Sequence, residues 1–329
     1  MFQMVVVFRY LLPDGSPVER FWTFISPENH DASSLANNLK TILEQVIDKK
    51  EKLISQSYDG ASVMSGRHSG VQHLIRMDYE HAYYVHCYAH QLNLILAQST
   101  SQIQPVRIFF SNLSDITNFF SHHPQRVAVL DEIVKQRVPR ASNTRWNFKS
   151  RSVNTVYENR DLLIECMEKL ATISKQTNTI NQATAISRML QDSTFIFWLT
   201  VFHKIMPHAD ILYNQLQKTK TDSVEIQRAI QVFEECIQKE RSNIDNIEIV
   251  ENSVPKQRRP NEYSLATRRA AAKEVCDIII TQVGDRFKFT NHLIASKLFT
   301  SENFLHFTKN FPLAYLESTI ESYPFLNKA

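Results

Sequence analysis

The feature that most constrains this chain is a change of hydrophobic period near residue 90. Before it, apolar residues come in short strand-like runs; after it, they recur at helical spacing and the strands stop. Residues 3–12 form a β-branched apolar run. Pro13-Asp14-Gly15-Ser16-Pro17 then supplies turn chemistry, because proline presets φ and glycine accepts a positive φ. With Phe21-Trp22-Thr23-Phe24-Ile25 as a second run, this predicts a β-hairpin. Leu35, Leu39, Ile42, Leu43, Val46 and Ile47 then mark a helix, with Asp31 or Ser33 available as its N-cap. A third strand over Leu53–Tyr58 ends at Asp59-Gly60, a short helix covers about 66–77, and Ala82–His86 is a fourth strand. The order strand, strand, helix, strand, helix, strand is an α/β pattern.

Beyond the switch, Gln91–Ala97 begins a helix and three apolar stripes follow. Val153, Val156, Leu163, Met167 and Leu170 form one, and Ile226, Ile230, Phe233, Ile237, Ile244 and Ile247 another. Val275, Ile279, Val283 and Phe287 form the third. Such stripes read as helix-packing faces. Only five glycines in 329 residues also favour long helices over hairpins. Phe195–Phe202 is the richest apolar run, far too short for a membrane span, and reads as a buried helix segment. About 245–263 reads as an exposed loop, acidic first and then basic at Lys256, Arg258 and Arg259. The domain reading is an α/β part over 1–100 and a helical part over 101–329.

Charge is nearly balanced, with 37 basic against 34 acidic residues, so any nucleic-acid surface has to come from local clustering. Lys149 and Arg151 form one such cluster, and Lys256 to Arg259 with Arg268 and Arg269 another. Cys87, Cys166, Cys236 and Cys276 are far apart and make no CxxC pair, which suits reduced thiols in the nucleus or cytosol.

Taken alone, Asp59-Gly60 is a turn and Trp146 beside Arg145 is a core residue with a charged neighbour. Cys87 and His90 supply two ligands where a structural zinc needs four. They therefore read as a structural pair, His90 being hydrogen-bonded where strand meets helix and the adjacent His86 pointing elsewhere.

Two segments reach beyond this reading. Ser57-Tyr58-Asp59-Gly60-Ala61-Ser62-Val63-Met64-Ser65-Gly66 and Tyr84-Val85-His86-Cys87-Tyr88-Ala89-His90-Gln91-Leu92-Asn93-Leu94 resemble the hAT transposase family. Within it they are most similar to the domesticated group of zinc-finger MYM-type proteins and the THAP-domain kinase-inhibitor repressor. Thr144-Arg145-Trp146 and Ala271-Ala272-Lys273-Glu274-Val275-Cys276-Asp277 fit the same resemblance. It implies an RNase H-like core, a mixed sheet with helices, interrupted by a large all-helical insertion. Such cores cut and join DNA with two divalent ions, Mg²⁺ or Mn²⁺, held by three carboxylates.

Asp59 matches the second of these carboxylates. The resemblance places the first upstream of the strand over Met4–Arg9 and the third in a C-terminal segment that also carries the dimerisation region. Asp14, Glu317 and Glu321 do not match either one. The expectation is a core that is partial at both ends, holds no cofactor as it stands, leaves apolar surface exposed and tends to associate. Trp146 matches a tryptophan that stacks on a displaced base, so Arg145, Trp146, Lys149 and Arg151 become candidates for contact with DNA. The functional expectation is a domesticated or decayed transposase fragment, nuclear or cytoplasmic, binding nucleic acid or protein without cutting DNA. The alternatives are an active transposase represented by an incomplete chain and a helical protein-interaction scaffold; none involves a membrane.

Overall fold

The computed structural model describes residues 3–121, 123–139, 146–219, 223–248, 264–287 and 291–328. The chain is α/β at its start and helical thereafter, and it divides into two compact units. The first unit holds residues 1–91, 214–230 and 286–329; the second holds 92–213 and 231–285. Residues 286–329 follow the helical stretch in sequence yet cluster with the first unit. The reason lies in long-range contacts, since the Tyr83 hydroxyl donates to the Ser322 carbonyl at 3.2 Å and Tyr323 donates to the Ile54 carbonyl at 3.2 Å.

In the first unit, strands β1 (Met4–Leu11) and β2 (Pro17–Ile25) form the expected antiparallel hairpin. Its turn works as the sequence suggests: Gly15 has φ +81° and the Asp14 carboxylate accepts from the Ser16 amide at 2.9 Å. Helix α1 (Ala32–Val46) starts at Asp31, whose carboxylate accepts from the Ser34 amide at 2.8 Å and so satisfies one open donor of the first turn. Strand β3 (Ser55–Tyr58) leads through α2 (Ser62–Ser65) and α3 (Val71–Asp78) to β4 (Tyr83–His86), which pairs with β3 in parallel. Leu35, Leu39 and Leu43 of α1 meet Val71 and Ile75 of α3, and Val6, Tyr79 and Ala82 close this core. Buried Gln56 ties β3 to its crossover, its amide donating to the carbonyls of Gln72 at 3.0 Å and Ala82 at 2.7 Å.

Helix α4 (Tyr88–Ser101) opens the helical series. It continues with α5 (Gln104–Phe120), α6 (Pro124–Ile133), α7 (Trp146–Glu158), α8 (Arg160–Ile173) and α9 (Thr177–Leu190). Then come α10 (Ser193–Leu216), α11 (Ser223–Asn243) and α12 (Leu265–Arg286), followed by the short α13 (Phe304–Phe307) and α14 (Leu313–Ser322). In the second unit α8 packs along α9 and against α6, and α5 touches α6, α7 and α9. The three stripes are buried as their spacing implies, apart from the half-buried Ile226, with Val153, Met167, Ile237 and Val275 fully enclosed. Phe195–Phe202 lies in α10, where Phe202 stacks on Phe109 with ring centres 5.5 Å apart. Of the anticipated loop, Asp245, Asn246 and Glu248 are exposed and Ile247 is buried; 249–263, with Lys256, Arg258 and Arg259, lie outside the described residues. Among the described residues no helix is long and apolar enough to cross a membrane.

Candidate functional site

Parallel pairing brings the carboxyl ends of β3 and β4 together, which is where open α/β sheets place their ligands. Asp59-Gly60 follows β3 and Cys87 follows β4, so two motifs 28 residues apart become neighbours. The Cys87 amide donates to the Tyr58 carbonyl at 2.9 Å and locks them in register. The Asp59 carboxylate accepts from the Ala61 amide at 3.1 Å, closing its own turn. The Tyr84 hydroxyl reaches across to the Asp59 carbonyl at 2.9 Å. Burial and the Asp59 charge together push the Tyr84 phenol up to about 12, so it stays a donor at neutral pH.

His86 sits at the centre of this arrangement rather than pointing elsewhere. Its imidazole lies against Gly60 so closely that a Cβ there would stand 2.5 Å from its Cε1. The contact explains the glycine: φ at Gly60 demands nothing special, but space does. On its other sides His86 stacks on Tyr84, centres 6.3 Å apart, and meets His90 at 5.5 Å. Burial lowers its pKa, with His90 and Arg286 acting in the same direction and Asp59 opposing them. Its Nε2 is buried and makes no hydrogen bond among the described residues. His90, expected to be hydrogen-bonded where strand meets helix, packs its ring against that of His86.

These residues do not fit a pair of magnesium ions. A hard cation needs several oxygen donors, and the groups around Asp59 are an imidazole and a phenol. Among the described residues no three His, Cys, Asp or Glu side chains are grouped to hold a metal.

The second candidate cluster lies in the helical unit. Trp146 opens α7 and is 6% exposed, its ring edge-on to Phe110 at 5.5 Å. The Lys149 ammonium sits over both rings, 4.5 Å from Trp146 and 4.9 Å from Phe110, and burial lowers its pKa. One face of Trp146 is thus covered by a lysine side chain of its own helix. Arg151 is exposed, whereas Arg145 lies outside the described residues. Arg268 is buried and donates to the Ser193 hydroxyl at 3.5 Å, and Arg269 donates to the Ile247 carbonyl at 3.0 Å. That pair therefore serves the fold and not a basic surface.

Three participants were not anticipated from the sequence. Asn93, within the second motif, accepts from the Trp146 amide at 3.4 Å and holds the start of α7. Asp210 accepts from Ser150 at 2.5 Å, and burial raises its pKa against the opposing pull of that hydrogen bond and of Arg151. Tyr84 carries a signal in hindsight: it shares one face of β4 with His86 through the two-residue period of a strand.

The fold is an α/β part followed by a helical one, and an RNase-like N-terminal domain fits it. Residues 1–70 match the family model DUF4371, described as the ZMYM1/FAM200 RNase-like domain. The matched stretch runs from the hairpin through Asp59-Gly60, and it fits a transposase-derived, RNase-like protein.

Proposed function

We propose that the chain is a transposase-derived binding protein of hAT ancestry that acts in regulation and does not cut DNA. The observation that carries this reading is Asp59: it lies where a nuclease would place a metal ligand, yet its carboxylate closes its own turn beside His86 and Tyr84. The partner is DNA, engaged through the exposed Arg151 and, once Lys149 swings off its ring, through Trp146. A base stacking there would gain about 1–3 kcal/mol, against about 0.5–2 kcal/mol for the displaced cation–π contact. A nuclear location follows from that partner.

The test is a plasmid-nicking assay with Mg²⁺ or Mn²⁺, run beside a DNA gel-shift. Wild type and Asp59→Ala should both leave supercoiled DNA intact, and Arg151→Glu should weaken DNA retention. Metal-dependent nicking lost in Asp59→Ala would overturn the reading. It would favour the second one, an active transposase, which the position of Asp59 at a parallel-strand carboxyl end supports.

A further inference from the structure

The outer face of the hairpin carries a regular pattern of cross-strand pairs. Val5 pairs with Phe24, Val7 with Phe21 and Arg9 with Glu19. The register slips between Val6 and Val7, leaving Trp22 as the extra residue on β2. The slip is what puts Phe21 and Phe24 on one face, ring centres 4.9 Å apart, while Trp22 turns to Phe8 at 5.7 Å. Val6 and Phe8 face the core, so Val5 and Val7 face outward with the two phenylalanines. The exposures are 51% for each valine, 56% for Phe21 and 59% for Phe24. Beyond them Arg9 and Glu19 form a loose ion pair at 3.7 Å.

Each row across the hairpin therefore joins unlike members: small with large, small with large, cation with anion. Such a surface is complementary to itself under one symmetry only. A two-fold axis along the strands, lying between two stacked hairpins, sets β1 of one copy over β2 of the other at the same level. Val5 then meets Phe24 of the second copy, Val7 meets its Phe21, and Arg9 meets its Glu19. A two-fold across the strands would instead set β1 on β1 with the levels reversed, opposing Phe21 to Phe21 and each charged residue to an apolar one. We propose that this face docks a second copy of the chain in an isologous, face-to-face packing of hairpins. The apolar surface covered is roughly 400 Å² per copy, judged from the sizes of the four side chains. Such an area supports a weak, reversible dimer and not an obligate one.

Sedimentation velocity of the full chain over a rising concentration series tests this. Wild type should shift from monomer toward dimer in the micromolar range or above. Phe24→Asp should weaken association at least about tenfold. Arg9→Glu and Glu19→Arg should each weaken it roughly tenfold, and mixing those two variants should restore it, since every row is then again paired with its opposite. All three positions are exposed, so the far-UV spectrum should not change. Monomer at every concentration would overturn the proposal, as would a dimer indifferent to Phe24→Asp or a mixture no tighter than its separate components.

Discussion

In the helical unit Phe109, Phe197, Trp198 and Phe202 are each at most 2% exposed, whereas the hairpin of the first unit leaves Phe21, Trp22 and Phe24 at least 50% exposed. The residue types are the same and the local sequences equally apolar. The difference is geometric. A helix stripe among neighbours on several sides is enclosed all round, as α10 is by the rings of α5. A two-stranded hairpin has two faces, and here the layer of α1 and α3 covers one. Aromatic content therefore marks stability in one unit and surface in the other.

Truncations should separate the two most sharply. Trp198→Ala removes a ring that is 1% exposed and should cost about 3–5 kcal/mol, read from urea unfolding followed by circular dichroism. Phe21→Ala in the same assay should cost under about 0.5 kcal/mol. Similar losses for the two would break the comparison. Gly60→Ala probes the tightest spot of the first unit, where the new methyl would stand 2.5 Å from the His86 ring. It should cost about 1–3 kcal/mol, and His86→Ala in the same chain should recover part of that. No recovery would mean that backbone, not the ring, limits the site.

Asp31→Ala removes the cap of α1 and should cost about 1 kcal/mol, with hydrogen exchange rising first at the start of that helix. The smallest effect is a dependence on pH. His86 binds its proton less readily in the folded chain than in the unfolded one, so the unfolded state takes up more protons as pH falls below about 6.5. The stability that neutral His86 contributes is present above that pH and is lost as pH drops through the lower folded value. Melting temperatures at pH 7 and pH 5 should differ less in His86→Gln than in wild type. His203 in the second unit shifts in the same direction, also chiefly by burial, and would leave part of the dependence in place.

Local chemistry was legible in the sequence wherever it stayed local. The Asp14-Gly15 turn, the Asp31 cap, the third and fourth strands and the helix stripes all follow from residues within a turn or two of one another. The bulge at Trp22 was not legible, because the shift depends on which β1 residues pack inward. Neither was the fate of Arg268, whose burial depends on α10 lying alongside it. The motif residues Asp59, Cys87 and Trp146 were identifiable, but their surroundings were not. His86 reaches Gly60 only because two strands 28 residues apart run parallel, and Lys149 covers Trp146 only once α7 is wound.

The hydrogen bond from Tyr323 to the Ile54 carbonyl spans 269 residues, and it sets a clock. At ordinary rates of synthesis, roughly 15–50 s separate the two partners as they leave the ribosome. In that interval the whole of residues 92–213 and 231–285 has been made and is free to fold. The segment around Ile54 and Tyr83 must wait through that interval without these last contacts. Strands β3 and β4 are thus made before the helical stretch and completed after it, and they stay open to chaperones throughout that interval.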